Sequence, residues 1–273
     1  MNFLGFSPFD LLAISLIFLV GGIVKGGVGL GLPSISIALM ALWLPLEQAM
    51  GILILPVVIT NIWQAFYGSA LLLIVRRLWV LLIGLFVGAI ISASFAISSD
   101  STAAVALLGL VCIIYAGLNL SGIRFTVSVK KETTLNPIIG IFTGLITGAT
   151  AFFVIPAVPY LQSLDFGKSV LGLKNRKTKG TAAKNEKMVK DALIQSFALT
   201  VLVGTGGMTL GMGVRGAIPI SIIILGTYTT LIAIVGMIIG RAIRNKLSLE
   251  VFRHLISITL LGLGSLMVFR YIF

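Results

Sequence analysis

Lys25 is the one basic side chain set deep in an apolar run, and it stands among six glycines and a proline in GGIVKGGVGLGLP, residues 21–33. A charge in hydrocarbon costs about 3 kcal/mol or more unless it faces protein or a water-filled cavity. Glycine and proline weaken or break helices. Together these facts predict a broken membrane segment lining a site for an anion. The ammonium of Lys25 would supply charge, and the break would expose backbone N–H groups at Gly26, Gly27, Gly29 and Gly31, ahead of Pro33. Two plainer readings compete: a lysine reaching for an interface, and glycines that let helices pack closely.

A second interrupted stretch, TGLITGATAFFVIPAVPY at residues 143–160, offers Thr147, Thr150 and Pro156 as lining. Threonine hydroxyls can donate to an anion, and proline removes an N–H and loosens the helix around it. The alternative is a kinked helix whose threonines bond their own backbone. Asn61, Gln64, Gln195, Ser196 and Thr200 are polar groups inside apolar runs, suited either to substrate contact or to joining helices. Glu47, Asp100, Asp191 and Glu250 fall at expected helix starts, where a carboxylate caps N–H groups.

With one histidine, His254, beside Arg253 at an expected membrane boundary, and one cysteine, Cys112, the chain lacks the parts for a His/Cys metal site or an internal disulfide. No catalytic residue, cofactor or metal is expected. An intramembrane enzyme is the rival of another class, but it would need paired acids or a nucleophile–base set, and the acids are scattered at loop ends.

The elements that must carry these residues follow from composition. Hydrophobic residues make up 58% of the chain and charged ones 10%, with a mean hydropathy of +1.14, which indicates a polytopic all-α membrane protein. The net charge of +12 lies between apolar runs, so it reads as an orientation signal rather than as a nucleic-acid surface. The runs fall near residues 10–44, 47–67, 78–98, 102–121, 136–164, 188–210, 217–240 and 249–271. The first is too long for one crossing of about 20 residues and short for two.

Charge parity resolves this. If every run crosses once, basic residues outside the membrane divide poorly, 7 against 12. If the first and fifth runs each enter and leave by the same face, 17 share one side and only Arg215 and Arg270 lie opposite. That is the bias expected of a cytoplasmic face. Each half then becomes a re-entrant hairpin plus three crossings, and the halves enter from opposite faces as an inverted repeat. The expected organisation is a first repeat at 1–122, a linker at 123–135 and a second repeat at 136–273, with a polar, mobile cytoplasmic loop at 172–187. Transporters of this plan bind substrate where the repeats meet, near mid-membrane.

The runs GIVKGGVGLGLP at 22–33 and TGLITGATAFFVIPAVPYLQSL at 143–164, with GLFVG at 84–88 and GMIIG at 236–240, resemble the TauE/SafE sulfite exporter family, also called the toluene sulfonate uptake permease family. The resemblance covers nearly the whole chain except 172–187. The family often repeats a glycine-rich run in both halves, whereas the second run here reads GATAFF. What the resemblance implies is a bacterial inner-membrane transporter of two similar halves, moving small sulfur-containing anions such as sulfite, sulfoacetate or other organosulfonates. An anion leaving a cell that is negative inside gains about 2.3 kcal/mol per charge per 100 mV, which favours export without a coupled ion. Ion-coupled uptake of a carboxylate or inorganic anion is the alternative. The expected partners are the small anion and the lipid bilayer, with no nucleic acid and with a homo-oligomer left open.

Overall fold

A computed structural model describes residues 5–66, 70–96, 101–123, 126–166, 182–216, 218–243 and 249–272. Its described residues form ten helices: α1 Pro8–Val28, α2 Leu32–Met40, α3 Leu46–Phe66, α4 Leu71–Ala96, α5 Ser101–Leu120, α6 Val129–Thr150, α7 Ala157–Ser163, α8 Ala182–Val214, α9 Ile220–Ile243 and α10 Leu249–Ile272. Seven of them are long and apolar enough to cross a membrane, and the chain is read as a multi-pass membrane protein. On α1 the exposed side chains include Phe9, Leu12, Leu16 and Val20, and on α4 Trp79, Ile83, Val87 and Ile91. These near-fourfold stripes put apolar surface outward, as lipid requires.

Both long apolar runs are broken. Ser7 and Asp10 form a reciprocal capping box at the start of α1, with Pro8 in its first turn. The helix ends where Gly29, at φ 87°, donates its N–H to the carbonyl of Lys25 at 2.7 Å. Gly31, at φ 110°, opens α2. Two left-handed residues so close together strongly favour glycine at both. The second break has the same form with different residues. Ala151, at φ 52°, closes α6 by donating to the carbonyl of Thr147 at 2.7 Å, and an irregular stretch and a cis Ile155–Pro156 bond lead into α7.

The two broken pairs do not pack mainly on their own halves. α1 lies along α9, and α6 lies along α4. An added Cβ at Gly22 or Gly26 would overlap the carbonyls of Ala233 or Met237, while one at Gly236 or Gly240 would overlap those of Leu19 or Ile23. The same arrangement recurs at Gly140, Gly144 and Gly148 against Leu81, Leu85 and Ala89. Backbone meets backbone along both seams, so the four-residue glycine spacing sets the helix–helix distance. Gly26→Ala and Gly144→Ala should each cost about 1–3 kcal/mol of stability, measured by thermal unfolding in detergent. Gly117→Ala, whose Cβ meets nothing within 4 Å, should be neutral.

Two expected boundaries shift. The linker at 123–135 is shorter, because α6 already begins at Val129. Residues 172–181 lie outside the described residues, but 182–187 belong to α8 rather than to a loop. Asp191 therefore sits well inside α8 and cannot cap its start, whereas Glu47 is in the first turn of α3. Asp100 is outside the described residues.

Candidate functional site

The site is built where the two breaks approach each other. Lys25, Gly29, Leu30, Gly31 and Pro33 of the first break border one cavity together with Asn61 of α3. Its other wall is Phe153 and Val154 from the second break, Val158 of α7 and Val201 of α8. The cavity encloses about 300 Å³ including its opening, but its centre is narrow, with room for a water-sized group.

Lys25 is 3% exposed, so it does not reach for an interface. Its Nζ donates to Thr60 Oγ1 at 3.0 Å. The Thr60 hydroxyl proton is itself donated to the carbonyl of Pro56 at 2.6 Å, which fixes the oxygen as an acceptor for the ammonium. An ammonium carries three N–H donors, and among the described residues no carboxylate pairs with this one. A buried cation so sparsely partnered is poised for an anion. The amino end of α2, which carries no side-chain cap, adds a partial positive charge beside it. Ser34, in the first turn of α2, is buried with an Oγ that has no hydrogen-bond partner.

The remaining predicted residues hold the frame. Gln64 Nε2 donates to the carbonyl of Gly29 at 2.8 Å, pinning the end of α1 to α3. Gly26 packs against Met237 of α9, and Gly27 is buried within α1. Thr147 donates to the carbonyl of Phe152 at 3.4 Å. Thr150 donates to that of Ile146 at 2.7 Å and accepts from the Phe152 N–H at 3.2 Å. Pro156 starts α7. Gln195 joins two elements, donating to Ala65 O at 2.9 Å and accepting from Ala70 N at 3.2 Å. Ser196 and Thr200 bond the carbonyls of Leu193 and Ser196 at 2.7 and 2.8 Å. None of these borders the cavity.

Sequence reasoning missed Thr60 and the apolar wall. Thr60 had a signal, since it lies four before Gln64 on the same helix face and next in sequence to Asn61. Phe153, Val154, Val158 and Val201 had none, because aliphatic and aromatic residues fill every span. A polar cluster away from the cavity was also unforeseen. Arg77 grips Glu132 through Nε at 2.9 Å and Nη2 at 2.6 Å, donates Nη1 to Asp165 O at 3.2 Å, and lies 5.1 Å from the centre of the Phe166 ring. Tyr160 donates to Asn136 Oδ1 at 2.7 Å in the same cluster. It ties the starts of α4 and α6 to the end of α7.

A family model described as Sulfite exporter TauE/SafE matches residues 14–175, over half of the chain and including both breaks. No curated protein and no solved structure matches. The matched stretch contains Lys25, the glycine break, Asn61 and the second break in the order the fold uses them, and the chain belongs to the TauE/SafE sulfite exporter family.

Proposed function

We propose that the protein exports small sulfur-containing anions, sulfite, sulfoacetate or another organosulfonate, across a bacterial inner membrane. The observation that carries this is Lys25, a buried cation with one hydrogen bond and, among the described residues, no carboxylate partner, set beside the break between α1 and α2. The anion would exchange its hydration for Lys25, the N–H groups opening α2 and an apolar wall from the other half.

Two hairpins rooted at opposite faces would give alternating access, and the packing of the broken pairs favours this reading. Arg270 donates to Leu42 O at 3.0 Å, holding the turn that follows the first broken pair against the end of α10. The second pair returns, with Val127 N–H donating to Ser163 O at 3.1 Å beside Arg77 and Glu132. α3, with 21 residues and about 31 Å of length, runs between these two ends. Its start follows the Leu42 turn, and its end is tied through Gln195 to the start of α4. This packing suits an inverted repeat with the Arg77 face cytoplasmic, the side to which charge parity assigns most of the basic residues.

Transport is tested by sulfite efflux from proteoliposomes with an imposed membrane potential. Efflux should accelerate when the lumen is negative; no flux above protein-free vesicles would refute export. Cysteine labelling at Glu47 and Arg76 should place them on opposite faces, with the amino terminus beside Glu47. An amino terminus opposite Glu47 would remove the hairpin.

A further inference from the structure

Resting on the transport reading, we infer that Thr60 and Gln64 of α3 are positioning residues for the anion: together they hold the end of α1 so that its cation stays at the cavity and its terminal carbonyl stays engaged. Two bonds tie these helices. Lys25 Nζ donates to Thr60 Oγ1 at 3.0 Å, and Gln64 Nε2 donates to Gly29 O at 2.8 Å. Both bonds span 35 residues. Lys25 and Gly29 stand one helical turn apart, as do Thr60 and Gln64, so α3 runs parallel to the end of α1 and meets it in register. Neither α3 residue borders the cavity, whereas Lys25 and Gly29 both do.

The two bonds have opposite polarity, and each suits the group it holds. An ammonium has no lone pair, so the buried Thr60 hydroxyl accepts from it while giving its own proton to Pro56 O at 2.6 Å. That bond fixes a flexible four-carbon stem with its charge at the cavity. Among the described residues Lys25 has no other hydrogen-bond partner, which leaves two N–H groups for a ligand. At the end of α1 the backbone presents carbonyls, the negative end of the helix dipole. An open acceptor there would repel the anion that Lys25 attracts. Gln64 meets the Gly29 carbonyl with a donor and lessens that opposition.

The test is the concentration dependence of sulfite efflux from proteoliposomes, read as KM and as maximal rate per folded molecule. Thr60→Val keeps the branched shape and loses the acceptor. It should raise KM about tenfold, the worth of one hydrogen bond to a charged group, and leave the maximal rate near that of wild type. Thr60→Ser keeps the acceptor and should keep KM near the wild-type value. Gln64→Met preserves the length of the side chain but not its donor, and it should raise KM in the same way. A purely structural role would lower the number of active molecules, hence the total rate, without moving KM. Unchanged KM in Thr60→Val or in Gln64→Met, or a Thr60→Ser as impaired as Thr60→Val, overturns the inference and leaves transport standing. Should Thr60→Val not fold, the part-buried Gln64 decides through its own variant. Wild-type efflux no faster than that of protein-free vesicles overturns the transport reading instead.

Discussion

Lys25→Met should raise the protein's thermal stability and at the same time reduce anion flux by roughly several hundredfold. The two signs have one cause. Without substrate, Lys25 is a buried charge held by one hydrogen bond to Thr60, and an uncompensated buried charge destabilises the fold. Methionine keeps the apolar stem and its packing while removing the charge. Thr60 keeps its bond to Pro56 O, so no new orphan donor is left. With substrate, the attraction between unit charges about 4 Å apart at an effective dielectric near 20 is about 4 kcal/mol, which sets the size of the flux loss. Unfolding in detergent and sulfite efflux, measured on the same preparation, check the pair. A lysine with only a structural role would give losses in both.

Glu132→Gln should cost about 3–5 kcal/mol of stability, the usual consequence of stranding one partner of a buried ion pair. Arg77 and Glu132 are joined by two short hydrogen bonds and are 13% and 8% exposed. Glutamine preserves volume but leaves the guanidinium without a counter-charge. Arg77→Met in the same chain should recover much of the loss, since the stranded charge is then gone. The cluster anchors the root of the second broken pair and does not border the cavity. Flux per folded molecule should therefore change little in either variant. Denaturation curves with efflux normalised to folded protein check both statements.

Glycine made the first break legible, because the left-handed conformations at Gly29 and Gly31 favour residues without a Cβ. The second break turns at Ala151, whose identity gives no such signal, and only the prolines nearby marked it. Lys25 stood out because a charge in an apolar run needs a reason. Gly26 was misjudged as a source of exposed N–H groups: it lies inside α1, and its small size serves the contact with Met237. The four-residue glycine spacing held that information as a packing signal rather than as a binding one. Residues 182–187 looked like loop because they close the polar stretch that begins at 172, yet Ala, Lys and Glu are good helix formers, and the structure begins α8 with them. The apolar half of the cavity was unreadable in principle. A valine facing lipid and a valine facing an anion are written the same way, and only the packing of α7 and α8 against the first break separates them.

The most direct measurement is the shift in unfolding temperature that sulfite produces in purified wild-type protein and in Lys25→Met. A ligand bound only by the folded state at a hundred times its Kd adds about 2.7 kcal/mol. Wild-type protein should show a concentration-dependent rise towards that value, while Lys25→Met should show none over the same range. An equal rise in both proteins would contradict a site built on Lys25.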